Sequence, residues 1–189
     1  MHTLQAINLG LLHKPLFICL LLMLILAVIT DLKDRKIPNK LVLFGLIASL
    51  VLQSLTLQVA GSLDWLAGVV VAFACFIPLY LLRAMAAGDV KLMMAVGGFL
   101  GYPLILSAVT NSYLAGGAIA ISYVLIMGRF RQLIQNLYAL IIDKFIKITS
   151  GVNVYDEQEV KPSVGRMPFA LAIALGTFIT MLQSLGNTI

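Results

Sequence analysis

Charge is scarce in this 189-residue chain. Asp, Glu, Lys and Arg make up 11% of it, against about 25% in soluble globular domains. Residues of the set AVILMFWYC make up 61%, and the mean hydropathy is +1.03. Such a composition excludes a soluble globular enzyme, a disordered chain and an ordinary nucleic-acid-binding domain. It describes an integral membrane protein made mostly of spans, with the lipid bilayer as its solvent. Cysteine is nearly absent: Cys19 and Cys75 each sit inside an apolar run. No CxxC pair offers a structural zinc site, and two thiols make no disulfide framework. They read as small apolar residues, and neither a metal nor another cofactor is expected. His2 and His13 both precede the first apolar run, away from the expected chemistry.

The 13 basic residues outnumber the 8 acidic ones, giving a net charge of +5 and a pI near 9.4. In a soluble protein that excess would suggest nucleic acid; here it follows from the positive-inside bias of membrane loops. The uncharged runs are 15–30, 41–63, 65–82, 92–128 and 167–189. A helix needs about 20 apolar residues to cross roughly 30 Å of hydrocarbon. The run 92–128 is 37 residues long, nearly twice that, and breaks at Gly101-Tyr102-Pro103, where Pro cannot continue a helix. The expectation is an all-α, polytopic protein with about six transmembrane helices, near 15–31, 41–60, 63–83, 88–100, 104–127 and 167–186, in one membrane-embedded domain over 1–189. No fixed-period repeat or low-complexity tract occurs.

With the N-terminus outside, the cytoplasmic loops are 32–40, 83–91 and 128–166. They hold twelve of the thirteen basic residues and leave only Lys14 outside, as the positive-inside rule requires. The first run reads as a retained span rather than a signal peptide, because the basic residues follow it. From 129 to 148, apolar Phe130, Leu133, Ile134, Leu137, Tyr138, Ile141, Phe145 and Ile148 recur at helical spacing. That pattern predicts a cytoplasmic amphipathic helix on the inner leaflet, followed by a polar loop over 150–166. Trp65 and Tyr102, at span ends, fit an interfacial aromatic belt.

Most of the acidic residues fall in loops, Asp64 among them, and are expected to be solvated. Asp31 and Asp89 differ. The run 15–30 makes about 24 Å of helix, short of the hydrocarbon thickness, so the helix should continue through Asp31. The stretch 89–100 makes about 18 Å, so Asp89 opens a short span. Both carboxylates are placed at or just below the same, cytoplasmic, membrane surface. An ionisable group at that depth is costly and points to function; interfacial pairing with Arg35, Lys91 or Arg83 is the plainer reading. Small residues Ala86, Ala87 and Gly88 precede Asp89 and permit close backbone approach. Gly97 and Gly101 continue that small-residue spacing. Two neighbouring acids share a proton, one serving as base and the other as acid. A base that deprotonates water and an acid that protonates a carbonyl oxygen make an amide hydrolase.

The segment Asp31-Leu32-Lys33-Asp34-Arg35-Lys36-Ile37-Pro38-Asn39 resembles the first catalytic motif of the prepilin peptidases, the type IV leader peptidases. There an Asp ends a span and is followed, after a short basic stretch, by Ile-Pro-Asn. Ala86-Ala87-Gly88-Asp89-Val90-Lys91-Leu92 resembles the family's GxGD signature with its Val-Lys-Leu, and the last span opens with the family's Pro-aromatic pair at Pro168-Phe169. The resemblance covers about residues 16–186. It implies a membrane aspartic endopeptidase of the bacterial cytoplasmic (inner) membrane that removes the short basic leader of prepilin or pseudopilin precursors. Asp31 and Asp89 would be the catalytic pair facing the cytoplasm, with Gly88, Lys91, Ile37, Pro38 and Asn39 as supporting motif residues. Pro38 and Asn39 would shape the turn into the second span. Lys91 would act on Asp89 or snorkel to lipid phosphate. The motif's first Gly is Ala86 here, a departure that matters only if the position demands positive φ. The absence of a methyltransferase region with paired CxxC suggests the short form associated with Tad/Flp-type pili, cleaving without N-methylation. A proton-coupled carrier or channel using the same aspartates, or a non-catalytic pilus-assembly subunit, are the competing readings. The oligomeric state has no signature in the chain.

Overall fold

The computed structural model describes residues 2–82, 84–126 and 169–186. These form five helices: α1 (His2–Asp34), α2 (Asn39–Leu81), α3 (Ala87–Leu100), α4 (Leu104–Ile126) and α5 (Phe169–Gly186). No strand occurs among the described residues. The chain divides into two compact units, 1–116 with 168–189, and 117–167; the contacts below all lie within the first. The expected amphipathic segment 129–148 and polar loop 150–166 fall outside the described residues.

Among the described residues, three helices are long and apolar enough to cross a membrane: α1 over Pro15–Asp34, α2, and α4 over Leu104–Tyr123. Large apolar side chains such as Ile18, Leu22, Phe44, Leu55, Val70 and Leu114 are exposed on them. Water would not tolerate that much open apolar surface, whereas lipid does. About six spans were expected. α1 runs through Pro15 instead of beginning there, and α3, at 14 residues, is short.

The two spans expected at 41–60 and 63–83 share α2, whose backbone is non-helical at Gln58 (φ 53°, ψ −131°). The limbs 39–57 and 59–81 fold back on each other. The Trp65 indole N–H donates to Ser49 Oγ at 2.9 Å, and the Ser54 and Ser62 hydroxyls bond at 2.9 Å. In a straight helix, residues 49 and 65 would stand about 24 Å apart. The reversal precedes the expected gap because Gly61 already belongs to the second limb. A Cβ there would strike the Gln53 carbonyl, so glycine lets the limbs meet this close to the turn. Trp65 is thus half-buried with its indole turned to Ser49, while Tyr102 is 55% exposed.

α3 lies against the hairpin at backbone distance. Gly97 and Gly68 face each other, and a Cβ on either would run into the other's carbonyl oxygen. Gly98 similarly makes room for Trp65 and Ser49, and buried Gln53 donates to the Phe99 carbonyl at 3.2 Å. α3 stops where the sequence predicts. Gly101 adopts φ 66°, and Asp64, expected to be solvated, accepts the Tyr102 N–H at 2.9 Å. α4 then returns beside α5, with Asn111 Nδ2 donating to Thr180 Oγ1 at 2.9 Å.

Buried stripes define the core. On α1 these are Leu16, Leu20, Met23, Leu24 and Ala27; on α3, Leu92, Met93 and Val96; on α5, Ala170, Ile173 and Thr177. Their spacing follows the helical period. Met23 of α1 seats on Gly45 of α2.

Gly97→Val should lower the stability of the detergent-solubilised protein by about 1–3 kcal/mol or more, the usual range for overpacking. The drop in thermal midpoint measures it. Gly88→Ala is the control: its Cβ would lie 3.5 Å from Ile37 Cβ, an ordinary contact, and its midpoint should stay level or rise.

Candidate active site

The buried stripe of α1 continues one turn beyond Ala27 to Asp31, which is 7% exposed. A carboxylate thus occupies a core position. Its Oδ2 accepts the backbone N–H of Ala170 at 3.2 Å. Ala170 lies in the first turn of α5, where N–H groups have no intrahelical acceptor. Such a terminus is a favourable place for a negative charge. α1 ends at Asp34, and Arg35, in the left-handed region at φ 50°, closes the helix through its N–H to the Asp31 carbonyl at 3.0 Å. Pro38 (φ −63°, ψ 127°) precedes α2, and its carbonyl caps the first turn. The ring fixes the extended entry that the sequence predicts for it.

Asp89 is placed by its own helix. It sits in the first turn of α3, and its Oδ2 reaches back to accept the Ala86 N–H at 3.0 Å. This is the carboxylate half of a capping box. Ala86 itself is extended (φ −85°, ψ 155°), so the position makes no demand for positive φ. Alanine in place of the motif glycine carries no backbone strain here. Asp89 is 6% exposed and heads the α3 stripe that continues through Leu92, Met93 and Val96.

The two motif segments meet through their supporting residues. Ile37 lies over Gly88, and Lys91 Nζ donates to Asn39 Oδ1 at 3.1 Å. Lys91 is two positions from Asp89, and side chains at that spacing do not share a helix face. It is exposed and points toward α2. Because α2 doubles back, Asn39, the start of α3, the end of α1 and the start of α5 gather at one end of the helices. Asp31 and Asp89 stand at that end, each with one oxygen held by a helix N-terminal N–H.

A third element was not foreseen. Phe76, fully buried, stacks on Tyr113 (centroids 5.1 Å, 21°) and meets Phe169 edge-on (6.3 Å, 70°). The Tyr113 hydroxyl donates to the Cys75 carbonyl at 2.6 Å. Phe169 also seats against Gly116. The rings fix the start of α5, and with it the Ala170 N–H that orients Asp31. The Pro-aromatic pair at 168–169 was its one trace in the sequence; a backbone donor leaves none. Two carboxylates so anchored, at one end of an apolar bundle, can serve as a base and an acid toward a water molecule and an amide.

A sequence model described as the type IV leader peptidase family matches residues 18–121. That stretch includes both aspartates and all five supporting residues. No curated protein and no solved structure matches the chain.

Asp31→Asn keeps an oxygen able to accept the Ala170 N–H, whereas Asp31→Leu leaves that buried donor unmet. The leucine variant should be less stable than the asparagine variant by about 1–3 kcal/mol. Thermal unfolding followed by circular dichroism in detergent compares the two.

Proposed function

Because the chain belongs to the type IV leader peptidase family, we propose that it is a membrane aspartic endopeptidase that removes the short basic leader from prepilin or pseudopilin precursors. The whole chain acts as one membrane-embedded peptidase domain in a bacterial inner membrane, with its N-terminus outside and its active site facing the cytoplasm. One observation carries the aspartic assignment. Asp31 and Asp89, 58 positions apart in sequence, both replace apolar residues on buried stripes, and both are oriented by helix N-terminal N–H groups. Structural anchoring of α5 and α3 would not by itself call for two carboxylates at the same end of the bundle, since the energetic penalty of a buried acid is high.

In this mechanism the pair holds one proton. The ionised carboxylate takes a proton from water as its oxygen attacks the scissile carbonyl carbon. The protonated carboxyl gives its proton to the carbonyl oxygen. The tetrahedral intermediate then collapses, the C–N bond breaks, and the first carboxyl returns its proton to the departing amine. The hydroxyl proton goes back to the second carboxylate, which restores the starting state. The exposed Lys33, Lys36 and Lys40 beside this end support its cytoplasmic assignment.

The test uses the full chain in detergent, a prepilin with a basic leader, and product mass as readout. Wild type should release the leader. Asp31→Asn and Asp89→Asn, with unchanged helicity, should each lose at least about 10²–10⁴-fold in rate. Wild-type cleavage by either variant would overturn the two-aspartate mechanism, and leader-independent transport would move the chain to the carrier class.

A further inference from the structure

We infer that the groove on the face of α3 opposite Asp89 is a binding site for an anionic phospholipid. The groove encloses about 610 Å³ between the two limbs of α2 and α3, a size typical of small-ligand sites. Its walls are apolar and bulky: Leu46, Phe73, Ile77, Val90 and Met94. Polar groups gather at one end, where Asn39, Tyr80 and Lys91 line the mouth. That end is fixed by the topology, because Asn39 begins α2, Tyr80 nearly ends it, and Lys91 is in the second turn of α3. The result is an amphipathic slot, hydrocarbon below and a cation above.

Charge complementarity selects the occupant. Among the described residues, Lys91 is the only charged one lining the groove. An ammonium has three donors, and the bond to Asn39 uses one of them. The remaining donors suit a phosphate at the membrane surface, with the lysine stem lying along the acyl chain. A transmembrane peptide helix is the poorer fit. Helices pack closely in lipid through small residues, and the glycines of α2 are already spent elsewhere: Gly45 on Met23, Gly61 on Gln53 and Gly68 on Gly97. A basic leader would also be repelled by Lys91. A flexible acyl chain needs no small-residue seam.

The full chain is exchanged into micelles holding equal phosphatidylglycerol and phosphatidylcholine of matched chains, and bound lipid is read by native mass spectrometry. Wild type should retain one phosphatidylglycerol, about fivefold over phosphatidylcholine, the preference one lysine near an anionic headgroup supplies. Lys91→Gln should bring the ratio to about one. Leu46→Trp, which fills the slot, should lower retention of both lipids. Lys33→Gln, which removes an exposed cation outside the groove, should leave the ratio unchanged. Equal retention of the two lipids by wild type would overturn the proposal, as would a ratio insensitive to Lys91→Gln or equally sensitive to Lys33→Gln, or retention unaffected by Leu46→Trp. A dimeric mass with no bound lipid would assign the groove to a second copy instead, and overturn it too.

Discussion

Two helix N-termini in this protein each give a backbone N–H to a buried carboxylate, and the arrangement of the cytoplasmic-facing chemistry proposed here depends on those two bonds. In hydrocarbon an unmet N–H is costly because no water can replace its acceptor. Asp89 answers the need locally, within one turn of its own helix. Asp31 answers it across 139 residues, by accepting from Ala170. The same contacts that stabilise the ends of α3 and α5 therefore aim the two acids. Structure and chemistry share the same atoms, and neither acid can be removed without disturbing a helix terminus.

The bonds hold only if the helices that carry them are fixed, and glycine does much of that. The second limb of α2 and α3 touch at Gly68 and Gly97 with no side chain between them. In lipid there is little hydrophobic drive to press helices together, so close packing and buried hydrogen bonds must supply the attraction. Gln53 to the Phe99 carbonyl and Trp65 to Ser49 are such bonds. Phe76, Tyr113 and Phe169 set the start of α5. Each acid is thus backed by a rigid contact of a different kind, backbone against backbone for Asp89 and ring against ring for Asp31.

α3 then works on two faces. One carries Asp89 into the core, and the other, through Val90, Lys91 and Met94, lines the groove. This placement sets the acid and the lysine on different faces of one helix. It also leaves Lys91 to join α3 to α2 through Asn39 and to meet a phosphate at the membrane surface.

Run lengths in the sequence were enough to set the helical class, the helix end beyond Asp31 and the break at Gly101. Those properties follow from hydrocarbon thickness and the rise per residue, which are the same for any neighbour. The motif residues Ile37, Asn39, Gly88 and Lys91 were legible as a group through resemblance, but not their pairing. Only the tertiary structure decided that Ile37 covers Gly88, that Lys91 turns to Asn39, and that α2 reverses at Gln58, a residue with no glycine or proline signal. It alone turned Asp64 to the Tyr102 N–H and Trp65 to Ser49. The Ala170 N–H had no signature at all. Composition fixes how much chain can sit in lipid, whereas a buried polar group's partner is whichever donor or acceptor packing brings within reach, and backbone N–H groups are the same at every position in the chain.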